Sequence, residues 1–162
     1  LKTVNVVRRE SAVAGVLETG GDVVLVDGPG LAKRVSEATG GAKIRLGIDA
    51  VGGQSTDHLA ASLTDGAVLV NYGAMSGEPC QISPASFVFR NITLRGFWLS
   101  KWFIGATPEQ RMKVFGEIAT LIAAGTLKSR IQATYSIDQI KDAVGAAAAG
   151  ERDGKILIVP KG

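Results

Sequence analysis

Five short stretches set charged, glycine or aromatic residues where an apolar run stops: Arg8-Arg9, Asp27-Gly28, Val51-Gly52-Gly53, Tyr72-Gly73-Ala74-Met75 and Phe97-Trp98-Leu99. If the runs are parallel strands, all five lie at carboxyl ends, where open parallel sheets bind ligands. Arginine offers a phosphate fork, glycine lets backbone approach closely, and the aromatic side chains offer faces and edges. The set suits a flat, phosphorylated, aromatic ligand, the profile of a dinucleotide crevice.

Arg8 and Arg9 carry the sharpest chemistry. At the end of the second strand of a dinucleotide fold an acidic residue holds a ribose 2′-OH, whereas arginine accommodates a 2′-phosphate. Alone, the pair reads as two solvated guanidinium groups opening a surface helix. Beside the other four stretches it reads as a phosphate site. Glu10 complicates this, since a small register shift would set an acid near the ribose.

Other candidates are weaker. Gly28-Pro-Gly30 imitates a phosphate loop, with Asp49 at a suitable distance, but Lys33 fills the third glycine position and proline removes a backbone donor. It reads as an ordinary connection. His58, on an expected helix with polar neighbours, reads as a surface residue. Cys80 has no histidine nearby in sequence to activate it. Ser11, Ser55 and Ser136 read as helix caps, and no G-x-S-x-G elbow occurs. Trp102 and Phe103 read as core or interface.

The elements that must position these residues alternate. A strand at Val4–Val7, a helix over Ser11–Thr19 and a strand within Asp22–Asp27 come first. A helix over Leu31–Ala38, a strand over Ile44–Ala50, a helix from about Thr56 to Leu63 and a strand over Ala67–Tyr72 follow. Such alternation with short glycine-bearing turns indicates a doubly wound parallel sheet, an α/β fold. Gly73–Arg90 reads as irregular and Ile92–Leu99 as a further strand. Thr107-Pro-Glu-Gln110 starts a helix that carries Phe115, Ile118, Ala119 and Ile122 on one face and ends at Gly125. Ser136-Ile-Asp-Gln139 starts another, ending at Gly150, between strands Ile131–Tyr135 and Lys155–Val159.

Composition narrows the class. A chain of 162 residues, 46% hydrophobic and 20% charged, is globular and long enough for one domain with a small appendage. Its net charge of +3, from 18 basic and 15 acidic residues, is scattered, so no nucleic-acid partner is expected. With one cysteine and one histidine, neither a disulfide framework nor a protein-only zinc site is expected. No apolar run approaches the roughly 20 residues of a membrane helix, and no signal pattern opens the sequence. The expectation is a soluble, metal-free protein of a reducing, cytoplasmic compartment.

The chain resembles the C-terminal half of zinc-free medium-chain dehydrogenases/reductases. The likeness is closest to mitochondrial-type 2-enoyl thioester (enoyl-CoA/ACP) reductases, with quinone oxidoreductases a step further off. It rests on VNVVRRE (Val4–Glu10), DAVGG (Asp49–Gly53), YGAM (Tyr72–Met75) and above all LRGFWLSKW (Leu94–Trp102). The resemblance implies an NADPH-dependent oxidoreductase with no metal, reducing the C=C bond of enoyl thioesters or else a quinone. Its NADPH would be held by Arg8, Arg9, Tyr72, Gly73, Ala74, Met75, Phe97, Trp98, Leu99 and Lys155. Ala74 stands where relatives often carry a second glycine. A homodimer, and the mitochondrial matrix in a eukaryote, are further implications. A non-catalytic dinucleotide-binding or scaffolding protein is the alternative from another class.

The resemblance also implies absences. A Rossmann-type sheet of order 3-2-1-4-5-6 would here lack its first strand and phosphate loop, and the proton donor would lie in an absent N-terminal domain. Residues 1–125 would then be a partial NADP-binding domain and 126–162 a return segment of the catalytic domain. The strands at Val4–Val7 and Ile44–Ala50 would lose the strand between them. Since unpaired edges are costly or adhesive, they should pair with each other or borrow strands from a second copy. The strands at Ile131–Tyr135 and Lys155–Val159 would ordinarily pair with the absent domain.

Overall fold

The computed structural model describes residues 1–149 and 154–160. The chain forms two compact units, Leu1–Gly105 and Ala106–Gly162. In the first, β1 (Val4–Val7), α1 (Val13–Glu18), β2 (Val23–Val26), α2 (Leu31–Thr39), β3 (Leu46–Asp49) and α3 (Gln54–Ser62) alternate as expected. Then come β4 (Val68–Asn71), α4 (Pro84–Phe87), β5 (Thr93–Gly96) and α5 (Leu99–Gly105). A turn of 3-10 helix, Glu10–Ala12, leads into α1.

All strand pairings in this unit are parallel. β1 pairs with β2, Val4 opposite Val23 and Val7 opposite Val26. β4 lies between β3 and β5, so that Val68 faces Leu46 on one side and Thr93 on the other. Of the two expected outcomes, the pairing of β1 with β3 is not made; the described residues of this unit form two separate sheets. α2 packs against α3 and Asp27 hydrogen-bonds to α3, joining the sheets without a backbone ladder.

The core lies under the three-stranded sheet. Ala60, Leu63, Ala67, Leu69 and Ile92 are buried, with Ile44, Leu59, Ile82 and Leu94 against them. The neighbouring strand explains Gly47: Leu69 stands opposite it on β4, and a Cβ at position 47 would come within 2.7 Å of Leu69 Cδ1. β3 thus turns Gly47 and Asp49 inward and leaves Leu46 and Ile48 exposed, at 57% and 64%.

Several local expectations are corrected. The segment read as irregular contains α4, with Pro84 in its first turn. The strand read to Leu99 stops at Gly96, and Leu99 begins α5. Short apolar runs do not distinguish strand from helix by periodicity, which accounts for the second error. Within α5, Trp102 and Phe103 form an edge-to-face pair with centroids 5.4 Å apart.

In the second unit, α6 (Pro108–Ala123) has the anticipated capping box. Gln110 N–H donates to Thr107 Oγ1 at 3.2 Å, and Thr107 N–H to Gln110 Oε1 at 2.9 Å. Its apolar face does not become core: Phe115, Ile118, Ala119 and Ile122 are exposed. β6 (Ile131–Ser136), α7 (Ile140–Ala148) and β7 (Lys155–Val159) form a βαβ unit whose strands pair with each other in parallel, with a bulge between Ile131 and Ala133. Ser136 N–H donates to Gln139 Oε1 at 3.1 Å, closing the turn before α7. The expected helix end at Gly150 lies outside the described residues.

Candidate functional site

Hydrogen bonds stitch the strand tips of the first unit into one rim. Asp27 N–H donates to Val7 O at 2.8 Å, joining the tips of β2 and β1 immediately before Arg8. Across the sheet boundary, Asp27 accepts from Ser55 Oγ and from His58 Nδ1, the latter at 2.8 Å. Tyr72 N–H donates to Asp49 O at 2.9 Å, joining β4 to β3, and Phe97 N–H to Asn71 O at 2.8 Å, joining β5 to β4.

Two buried or half-buried carboxylates anchor this rim. Asp49, 1% exposed, accepts from Val51 N–H (2.8 Å) and Gly52 N–H (3.1 Å) on Oδ1. Its Oδ2 takes Thr56 Oγ1 (2.7 Å) and Asn71 Nδ2 (3.1 Å). Burial pushes its pKa up, but these four donors outweigh that and hold the carboxyl below its ordinary value. Asp27 is alike: burial raises its pKa, and Ser55, His58 and Gly28 N–H together lower it further than burial lifts it.

The turn fixed by Asp49 seats the next loop. Ala50 O accepts Met75 N–H at 3.2 Å, and Val51 O accepts Ser76 N–H at 2.9 Å and Ser76 Oγ at 2.8 Å. Gly73 rests on this turn so closely that a Cβ would lie 2.6 Å from Ala50 O. Gly52 and Gly53 have positive φ, and their open sides face Glu78 and Ser76 rather than free space. These two glycines therefore serve loop packing.

Arg8 is exposed just past β1, and Arg9 is half-buried at the entry to the 3-10 turn. Tyr72, Ala74 and Met75 are exposed and Gly73 half-buried on the β4 tip; Phe97, Trp98 and Leu99 are exposed after β5. These nine residues share the rim of the first unit. Lys155 belongs to the second unit, at the start of β7, where its N–H donates to Arg130 O at 2.7 Å.

The Gly28-Pro-Gly30 turn spends its polar groups internally, as an ordinary connection would. Gly28 N–H donates to Asp27 Oδ1 at 2.7 Å and Leu31 N–H to Gly28 O at 3.2 Å, while Arg34 reaches Val26 O at 2.7 Å. His58 is not a surface residue, and Ser55 is not a helix cap. His58 is 17% exposed and paired with Asp27, and Ser55 bonds to Asp27 instead of capping α3. Nor does Ser11 cap a helix; it lies inside the 3-10 turn. Twenty-eight or more residues separate these side chains from Asp27, so no local pattern signals the cluster.

Residues 19–158 match the family model described as zinc-binding dehydrogenase. The chain belongs to that family, the medium-chain dehydrogenases/reductases. Mitochondrial enoyl-acyl-carrier-protein reductase of Dictyostelium discoideum is 38% identical over 140 residues, 82% of this chain and 39% of that protein. The solved Etr1p/NADP/crotonyl-CoA complex superposes with a TM-score of 0.78 at 24% identity, over 98% of this chain and 47% of the other. A mycobacterial quinone oxidoreductase superposes at 0.82 and 23%, over 96% and 48%. At these identities the solved structures speak to the fold alone. The chain spans less than half the length of these relatives.

The family description names zinc. Among the described residues, however, no three His, Cys, Asp or Glu side chains gather to hold an ion. Cys80 is exposed and His58 is engaged by Asp27. These residues do not fit a zinc site. Among the described residues, no helix is long and apolar enough to cross a membrane.

Proposed function

We propose that this chain is the cofactor-holding part of an NADPH-dependent reductase acting on the C=C bond of 2-enoyl thioesters. The reading is carried by the rim itself, with guanidinium groups on the β1 tip and uncovered aromatic faces on the β4 and β5 tips. The donor set fits a dinucleotide bearing an extra phosphate: Arg8 and Arg9 would hold the 2′-phosphate. Tyr72 to Met75 and Phe97 to Leu99 would line the nicotinamide end, and Lys155 is assigned a further contact by resemblance. When bound, NADPH supplies the hydride that reaches the thioester β-carbon. The residues of this chain hold and orient; none is assigned as the donor of the proton that reaches the α-carbon.

The names of the Dictyostelium relative and the Etr1p complex support the thioester as substrate. The quinone oxidoreductase neighbour supports a second reading, in which a quinone accepts the hydride. We assign residues 1–125 to the nucleotide domain and 126–162 to a return segment, in a homodimer. Its compartment is the cytoplasm, or the mitochondrial matrix in a eukaryote.

The test is a fluorescence titration with NADPH and NADH, followed by steady-state assays with crotonyl-CoA and a benzoquinone, on the polypeptide encoded by the full reading frame. Preference for NADPH and turnover of crotonyl-CoA are expected. Preference for NADH overturns the arginine assignment, and turnover of quinone alone selects the second reading. Residues 1–162 by themselves are expected to leave crotonyl-CoA unreduced.

A further inference from the structure

We propose that Ser76 is a positioning residue that pins the Tyr72–Met75 tip to the Val51–Gly53 turn and so places the nicotinamide end of the cofactor. The inference rests on the cofactor reading above. The tip leaves β4 at Tyr72, whose N–H donates to Asp49 O at 2.9 Å, and then runs across the turn that follows β3. Met75 N–H reaches Ala50 O at 3.2 Å, and Ser76 N–H reaches Val51 O at 2.9 Å. The Ser76 hydroxyl donates to that same Val51 carbonyl at 2.8 Å and accepts Glu78 N–H at 3.1 Å. Further along, Gln81 N–H donates to Gly53 O at 3.1 Å. All these groups belong to β3, β4 and the loops that follow them, two strands paired directly with each other.

Two glycines make the seat for the hydroxyl. A Cβ at Gly53 would stand 3.3 Å from Ser76 Oγ and one at Gly52 3.4 Å, so side chains there would crowd it. Asp49 Oδ1 accepts Val51 N–H at 2.8 Å and Gly52 N–H at 3.1 Å, so Val51 is held on both its N–H and its carbonyl. The buried carboxylate fixes the turn, and Ser76 passes that fixity to the loop. Tyr72 to Met75 thus lie between two anchors, the β3–β4 ladder before them and Ser76 after them. Loss of the hydroxyl loosens the second anchor and lets the tip shift. A reacting group must be held within a narrow range of positions, so such a shift falls on the nicotinamide. The 2′-phosphate is carried by the adenosine half and is assigned to Arg8, on another tip that this strap does not reach. Ser76 acts through the tip and is not a catalytic residue.

Calorimetric titration of the full polypeptide with NADPH and with 2′,5′-ADP, the adenosine half alone, tests the pin. Ser76→Ala is expected to weaken NADPH by about fivefold, the worth of one hydrogen bond, and to leave 2′,5′-ADP within about twofold. Ser76→Thr keeps the hydroxyl and should bind NADPH within about twofold of the unmodified protein. An equal loss for both ligands, an unchanged NADPH affinity, or Ser76→Thr no better than Ser76→Ala overturns the proposal. Deuterium uptake without ligand, read by mass spectrometry on the peptide spanning residues 72–81, reports the loop itself. Faster uptake in Ser76→Ala than in the unmodified protein or Ser76→Thr supports the pin, and equal uptake overturns it. An unmodified protein that binds neither nucleotide overturns the cofactor reading, which leaves the uptake rates to decide whether Ser76 holds the tip.

Discussion

Thr56 Oγ1 donates to Asp49 Oδ2 at 2.7 Å, and neither residue exposes more than 1% of its surface. One carboxylate thereby fixes the first turn of α3, the 50–53 turn and, through Asn71, the end of β4.

Asp49→Asn should destabilise the fold by about 2 kcal/mol, because an amide presents hydrogens to at least one of the four donors now satisfied. Above the ordinary carboxylate pKa of 3.8 the ionised form is favoured in the folded state, and its contribution is lost as pH falls through the lower folded value. Urea unfolding at pH 7 and at successively lower pH should show a gap between the two proteins that narrows in acid. A constant gap would mean that Asp49 acts through shape and not charge.

Arg8→Ala is expected to weaken NADPH by about 10- to 100-fold, the worth of one charge-assisted hydrogen bond to phosphate, and to leave NADH within about twofold. Paired fluorescence titrations measure the ratio. An equal loss for both nucleotides would place Arg8 away from the 2′-phosphate.

Gly73→Ala forces a methyl group to 2.6 Å from Ala50 O, so a main-chain shift must follow. Overpacking of this kind costs about 1–3 kcal/mol. Ala74, one residue on, is exposed and should accept glycine with a loss of about 1 kcal/mol or less. Denaturant midpoints of the two variants make the comparison, and equal midpoints would refute it.

Thr107→Ala removes the cap of α6 and should cost about 1 kcal/mol, while Thr107→Ser keeps the hydroxyl and most of the stability. Amide exchange at Gln110, whose N–H the hydroxyl accepts, reports the loss directly.

Much of this was legible in the residues, and the limits have physical causes. Valine runs broken by glycine gave the parallel strands of the first unit, and Thr107-Pro-Glu-Gln110 gave a helix start confirmed by two hydrogen bonds. These signals are local. The bond from His58 to Asp27 spans 31 residues, and the contact of Gly73 with Ala50 depends on strands folded side by side. A glycine reserved for tight packing looks, in a sequence, like one reserved for a ligand. The apolar face of α6 was readable as a face, but periodicity does not say what covers it, and in its unit it lies exposed.

The packing of Gly73 also bears on how such a protein can change over evolutionary time. A side chain at position 73 would meet Ala50 O, so a replacement there must be accompanied by movement of the neighbouring turn, whereas Ala74 and Met75, both exposed, can change singly. The β4 tip can then alter what it presents to a ligand while its main-chain path stays in place.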